Sequence, residues 1–425
     1  MRVPAALATL AILAMTAPPA AATWREQRLP SPDATSFAEP PSIASNARGD
    51  TAVAWTARPR AFLAVRRAGA ARFGRPIELR RFARPRVSVL SDGTVLVASE
   101  LGDRTEVGRR PCCRVVFVSR LRPRSRRLSP WRAVTTRGIA VGAWALAAGL
   151  RGHATLVADV DGLGLATSRA AGVFGALASP SAGPLFGQPF AGFGGDGRGV
   201  ALWAEGMYGG TQRLIGAPIG RDGRAALART FMTAPQAPSD AAFLDVRAGL
   251  DDHSRLTVLW LDDGQFVRTP STINVATGSV FGVGGPQVLG RNGTVPGGVR
   301  DPALAVARNG RAIAAWRSFG PGGEQRVVAI RSGPRAAFRV LAPMPGDGSA
   351  PRIAVASSGH GIVVGGFGNS ARARIVNPGG GFAAPRRLAG SSSSSGVGLA
   401  TIGRRMTLAW GTKHGLRAAT FTPPR

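Results

Sequence analysis

One short pattern recurs along the whole chain: a turn residue, then an apolar run, often ended by Trp. Five copies carry the Trp: Gly49–Trp55, Gly197–Trp203, Ser254–Trp260, Gly310–Trp316 and Arg404–Trp410. Three copies lack it: Gly93–Ser99, Gly152–Ala158 and Gly359–Gly365. The eight starts lie 44 to 59 residues apart. A period of this length, with strands inside each unit, marks radial or stacked repeats.

A single unit shows what the repeat encodes. Within residues 41–80, the segments Ser42–Asn46, Thr51–Trp55, Ala61–Arg66 and Phe73–Leu79 are short and rich in β-branched or apolar residues. Gly, Pro or Asp separates them, so they read as four strands of a meander. The second run is apolar throughout rather than alternating, which requires burial on both faces. A blade wedged between two other blades supplies that burial. Small residues such as Ala52 and Ala54 let neighbouring sheets approach, and the Trp fills the wider gap, so the repeated Trp is a packing residue. The last unit, from Val397, offers only three strands. Trp24–Leu29 resembles the fourth strands elsewhere, such as Phe73–Leu79 and Phe382–Leu388. Adding it to the last unit closes a ring and leaves no long exposed edge. The expected fold is all-β: an eight-bladed β-propeller of four-stranded antiparallel blades closed by the N-terminal strand, with seven blades as the alternative.

This layout resembles secreted bacterial β-propellers of the sialidase-like and WD-repeat-like sort. The resemblance is one of architecture. Propellers of that kind include enzymes, lectins and scaffolds, so it implies no single activity. Sialidases carry repeated Asp boxes of the form Ser-x-Asp-x-Gly-x-Thr-Trp. The nearest approach here, Ser91-Asp92-Gly93-Thr94-Val95, lacks the spacing and the Trp, which argues against a true sialidase.

The N-terminus reads as a secretory signal. Arg2 is followed by the apolar stretch Ala5–Met15, too short to span a bilayer, and then by Ala20-Ala21-Ala22. Residues 1–22 are therefore expected to be a signal peptide, and 23–425 a single propeller domain that is secreted, periplasmic or at the cell envelope. No transmembrane segment is expected. The chain has 54 Lys and Arg against 23 Asp and Glu, a net charge of +31. Such a surface attracts polyanions in a salt-dependent way. Outside the cytoplasm the expected partners are an acidic glycan, a cell-wall polymer or a protein, with no specific nucleic acid.

The strongest local charge signal is Arg120, Arg122, Arg124 and Arg126, at alternate positions. On an extended strand they would share one face. That face could hold phosphates or carboxylates, or simply deter strand pairing at an edge. The two cysteines, Cys112 and Cys113, are adjacent. A disulfide between neighbours would be strained, leaving free thiols or a bond to another chain as alternatives.

Ligands of propellers gather at the mouth of the central channel. Carboxylates following second strands belong on that face: Glu100, Asp159, Glu205, Asp262 and Asp263. They could bind a sugar or a calcium ion, and the same residue types also suit ordinary turns. No other cofactor and no metal site is expected, since His153, His253 and His360 fall on turns of three different blades. The lone tyrosine, Tyr208, lies three residues beyond Glu205 and could act as a nucleophile in the sialidase manner, but a lone Tyr on a loop reads first as an exposed side chain. The expected function is that of an exported, non-catalytic propeller binding a ligand or partner, an acidic polymer being its most concrete form. The alternative is a glycan-active enzyme using channel-face carboxylates such as Glu205 and Asp262.

Overall fold

The computed structural model describes residues 23–30, 39–57, 60–79, 82–101, 115–135, 141–149, 152–160, 163–170, 173–175, 178–181, 185–206, 211–234, 241–263, 270–291, 298–320, 323–346, 348–367, 370–391, 396–412 and 414–424. The expected signal peptide, Cys112, Cys113 and Tyr208 lie outside these residues. Among the described residues no helix is long and apolar enough to cross a membrane.

Each repeat forms one antiparallel sheet, and there are eight sheets. In three of them, blades 3, 5 and 6, the fourth strand is broken into two short pieces that both pair with the third. The first strand of each blade is innermost. These inner strands are Ser42–Ser45, Phe82–Val89, Val141–Ala148, Leu185–Phe193, Ala241–Leu250, Val299–Val306, Arg352–Val355 and Val397–Ile402. The turn residue opening each repeat reverses the chain between first and second strands. Gly49 at φ 106° and Gly93 at φ 88° occupy the left-handed region there, where a side chain would be strained.

The eight-bladed ring closes as the sequence predicts. Thr23–Pro30 pairs antiparallel with Gly415–Thr422, with Trp24 opposite Phe421 and Leu29 opposite Leu416. Blade 8 is therefore built from both ends of the described chain. Gln27, on the closing strand, grips blade 1: its Nε2 donates to the Phe73 carbonyl at 3.0 Å, and its Oε1 accepts from the Phe73 N–H at 2.7 Å. Gln287 of blade 5 repeats this clasp on Phe338 of blade 6, at 3.1 and 3.3 Å. Buried Arg66 and Arg331 stack over the two clasped rings, at 5.3 and 5.2 Å. Both arginines also reach a threonine of the preceding blade: Arg66 donates to Thr407 Oγ1 and Arg331 to Thr257 Oγ1. Burial holds both guanidiniums below the usual arginine range, with Arg405 adding to the effect at Arg66 and Asp251 opposing it at Arg331.

The core lies between blades. In blade 1, Val53 and Trp55 pack against Leu29, Ala409 and Leu416 of blade 8. Ala52 and Ala54, on the opposite face of the same strand, pack against Val87, Val95 and Val97 of blade 2. Trp203, Trp260, Trp316 and Trp410 likewise pack on the preceding blade, and all are at most 2% exposed. The expected packing role of the repeated Trp is what the structure shows.

Units without the Trp fill the gap otherwise. In blade 7 the position is Gly365, and a Cβ there would meet the Arg326 guanidinium of blade 6 at 2.1 Å. Arg326, 2% exposed, donates from Nη2 to the Ser349 carbonyl at 3.1 Å. In blade 3 the position is Ala158, and its register partner on the inner strand is Trp144. Trp144 packs on Ala98, Val116 and Val118 of blade 2. The large ring has moved one strand inward.

Replacing Gln27 by Ala removes two hydrogen bonds across the closure. Denaturant unfolding should show a loss of about 2 kcal/mol; an unchanged midpoint would mean the clasp contributes nothing to sealing the ring.

Candidate functional site

All eight inner strands begin at the same end of the channel, and their first residues surround a mouth of ≈ 780 Å³. The inner strands are not regular there. Pairing with the second strand shifts register between Ala83 and Arg86, Phe186 and Phe190, Leu244 and Arg247, and Arg300 and Ala303. Each bulge holds one residue in the left-handed region: Arg84 (φ 50°), Gly187 (φ 70°), Asp245 (φ 48°) and Asp301 (φ 52°). All four line the mouth. Side chains at positive φ are uncommon, and bulges re-aim side chains near sites, so the same device used in four blades marks this end of the channel.

The mouth carries both charge signs. Arg84, Arg86, Arg247 and Arg352 line it, with Glu39, Glu100, Asp245 and Asp301. Three arginines have defined roles. Arg84 pairs with Glu39 at 2.6 Å. Arg247 pairs with Asp245 at 3.5 Å and donates to the Val246 carbonyl. Just behind the mouth, Arg317 clamps two acids: Nε and Nη2 donate to Glu324 at 3.0 Å each, and Nη1 donates to Asp301 Oδ2 at 2.8 Å. Although burial works against its charge, those hydrogen bonds and charges raise the Arg317 pKa above the usual arginine value. Arg86 and Arg352 differ: among the described residues their side chains make no ion pair or hydrogen bond. Arg352 is solvent-accessible but enclosed by the channel walls. Desolvation, then the like charges of Arg247 and Arg86, lower its pKa, and Asp301 offsets only part of this. Three guanidiniums therefore converge without a full complement of anions.

Glu100 is the channel-face acid that the mouth does use. Ending the second strand of blade 2, it is 2% exposed and accepts a 2.7 Å hydrogen bond from Trp144 Nε1. That donor is the inward-shifted Trp of blade 3. The other expected acids sit elsewhere. Asp159 and Glu205 end second strands but do not line the mouth. Asp262 is engaged in packing, accepting from Phe243 N–H at 3.1 Å and Asn274 Nδ2 at 2.7 Å. Asp263 ends the same strand, Arg255–Asp263. The physical reason is one of layers: second strands lie one strand back from the channel, behind the inner strands whose bulges form its rim. Asp245, Arg86, Arg247 and Arg352 were missed because their segments read simply as strand starts. The available signal was an interrupted strand start, as in Arg84-Pro85-Arg86 and Asp301-Pro302.

The arginine stripe is also corrected. Only Arg120 lies on the strand Val115–Leu121. Arg122, Arg124 and Arg126 sit in the turn that follows, at the end of the blade away from the mouth, so they form no alternating face. The Pro123–Arg124 turn breaks the extended geometry that the alternation assumed. His153, His253 and His360 lie on turns at that same far end. Burial, with Arg404 and Arg311 nearby, lowers the His360 pKa. Among the described residues no three His, Cys, Asp or Glu side chains gather to hold a metal ion.

No protein-family model and no curated protein sequence matches this chain. Solved structures do share its architecture. An ulvan lyase, from a family of polysaccharide lyases, superposes with a TM-score of 0.52 at 11% identity, over 93% of this chain and 95% of that one. The ulvan lyase bound to -[GlcA(1-4)Rha3S]- gives 0.51 at 11% identity over the same shares. An α-L-arabinanase from Penicillium chrysogenum complexed with arabinobiose gives 0.42 at 10% identity, over 94% and 97%. At these identities the likeness is one of fold. The expectation of a non-catalytic binder is set against neighbours named as polysaccharide lyases, and the glycan-active alternative is the reading taken up below.

An unpaired, partly desolvated cation costs stability. Changing Arg352 to Met should therefore raise the melting temperature, by about 1 °C in a chain of this size. Sulfate should raise the melting temperature of the unaltered protein and leave that of the variant unmoved. A lower melting temperature in the variant would show that Arg352 is structurally paired.

Proposed function

We propose that this protein is a glycan-active enzyme that takes an acidic polysaccharide into the channel mouth. The observation carrying this reading is the convergence of Arg86, Arg247 and Arg352, two of them without partners, beside the carboxylates of Glu100, Asp245 and Asp301. Guanidiniums bind carboxylate and sulfate groups by paired, charge-assisted hydrogen bonds. The mouth is broad enough for a few sugar rings, and it opens to solvent, as a polymer requires.

The arginines favour elimination over hydrolysis. Holding a uronate carboxylate between cations acidifies the neighbouring C5 proton. A base removes that proton, the C4–O4 bond breaks, a C4=C5 double bond forms, and the departing oxygen takes a proton. Asp245 and Asp301, held at left-handed bulges, are placed to serve as base or proton donor. Arg317 is a positioning residue that fixes Asp301. Glu100 is held by Trp144 and shapes the wall. The names of the ulvan lyase structures support the same substrate chemistry. Export through cleavage after Ala22 would bring the enzyme to such polymers.

The test is a panel of polygalacturonate, ulvan, hyaluronan and neutral arabinan, with new reducing ends and unsaturated-uronate absorbance followed together. Both signals should rise on an acidic polymer. Arg352→Ala should lower kcat/KM about 10- to 100-fold, the value of a lost charge-assisted contact. No cleavage of any acidic member, or equal cleavage of arabinan, would overturn the proposal. Reducing ends without unsaturation would replace elimination by hydrolysis.

A further inference from the structure

We infer that the face opposite the mouth carries a second anion site, an arginine rim across blades 1 and 2 that holds a remote stretch of acidic polysaccharide. The turn between the third and fourth strands of blade 2 presents Arg122, Arg124, Arg126 and Arg127, all exposed. Among the described residues none of these four side chains has an ion pair or hydrogen bond.

The turn is a fixed one. Ser125 N–H donates to the Arg122 carbonyl at 3.0 Å, Ser125 Oγ donates to the Arg127 carbonyl at 2.8 Å, and Arg127 N–H donates back to Ser125 Oγ at 3.0 Å. Blade 1 braces it. Arg67, after the third strand of that blade, donates from Nη2 to the Arg122 carbonyl at 3.2 Å. Arg48, on the neighbouring turn, donates to the Asp92 carbonyl at 3.2 Å. Two arginines thus staple the blades through carbonyl oxygens, and four more point into solvent.

Nearby acids do not pair with the four exposed arginines, although Asp50 lies 3.9 Å from Arg67. Asp50 is 4% exposed and accepts from Asn46. The Asp92 carboxylate accepts from its own turn, from Thr94 N–H at 2.8 Å and Thr94 Oγ1 at 2.9 Å.

The chemistry of the rim selects the polymer. Between Arg120 and Ser129 there is no aromatic residue on which a base could stack. Leu121 is buried and Leu128 is half-buried against the core between blades 1 and 2, so no fully exposed apolar side chain is offered to a lipid surface. A flat, polar, ordered cluster of guanidiniums suits a hydrated chain with repeated carboxylate or sulfate groups. The choice of polysaccharide as polymer rests on the proposed function; the anion site itself does not.

The experiment is done in an Arg86→Ala/Arg352→Ala background, which removes the mouth's two unpartnered guanidiniums, and the rim is read from the difference its own substitutions make. Binding of polygalacturonate, heparin, phosphatidylglycerol vesicles and single-stranded DNA is measured at low and high salt. Adding Arg124→Ser, Arg126→Ser and Arg127→Ser should weaken polygalacturonate or heparin binding by about tenfold at low salt, with little effect at high salt. Lysines at the same three positions should restore most of it, which separates lost charge from a disturbed turn. Equal polymer binding with and without the serine changes overturns the rim, whatever the cleavage assays show. Tighter binding of vesicles or DNA than of either polysaccharide overturns the assignment of the polymer. Because the background lacks the two mouth arginines without partners, failure here leaves the proposed function standing, and failure of cleavage leaves the rim standing.

Discussion

Everything in this molecule depends on how one blade meets the next. Each second strand is buried on both faces but carries different volumes on each: Val53 and Trp55 on one side, Ala52 and Ala54 on the other. In the five Trp-bearing blades it is the Trp face that meets the preceding blade, so these sheets pack in one rotational sense. A ring made this way must end with a blade whose large face has a neighbour, and Trp55 finds Leu29, Ala409 and Leu416 in blade 8. Closure by Thr23–Pro30 is thus a packing requirement as well as a hydrogen-bonding one. An open array would expose the Trp55 face to water, at an expense of about 2–3 kcal/mol for that ring alone.

The same constraint explains how the mouth acquires a buried acid. Blade 3 has Ala158 where other blades have Trp, and the volume is restored by Trp144 on the inner strand directly opposite. This relocation brings an indole N–H to the channel wall. A buried donor needs an acceptor, and Glu100 of blade 2 supplies it at 2.7 Å. Repacking and site formation are one event here. Blade 7 solves its own missing Trp with Arg326, a different answer that places no new group in the mouth.

The fold was legible because its signal is repeated. Spacing, apolar second strands and the orphan segment Trp24–Leu29 each point to a closed eight-bladed ring, and their agreement is stronger than any one of them. Of the five channel-face acids selected from the sequence, Glu100 lines the mouth. Asp159, Glu205 and Asp262 occupy the strand ends that the reasoning selected, but those ends stand behind the rim. What moves residues into the rim is the bulge, and a bulge depends on unpaired backbone, which leaves a faint trace in a single sequence. Asp245-Val246-Arg247 looks like the start of an ordinary strand. The arginine stripe failed for the complementary reason: alternation has meaning only while the chain stays extended, and at Pro123 it turns.

The energetics of the mouth argue for a ligand on grounds independent of any likeness. Folding could have left Arg86, Arg247 and Arg352 in solvent, where their mutual repulsion would be screened. Instead the ring brings them together at the channel mouth, where desolvation and like charge both act against Arg352. The bulges add backbone strain at Arg84, Asp245 and Asp301. Packing does not require the bulges, because blades 1, 7 and 8 enter the channel without a left-handed residue among the described positions of their inner strands. Unfavourable charge and unfavourable backbone therefore coincide in this cavity. An anion seated between the guanidiniums would relieve the first, and the second holds the carboxylates ready around it.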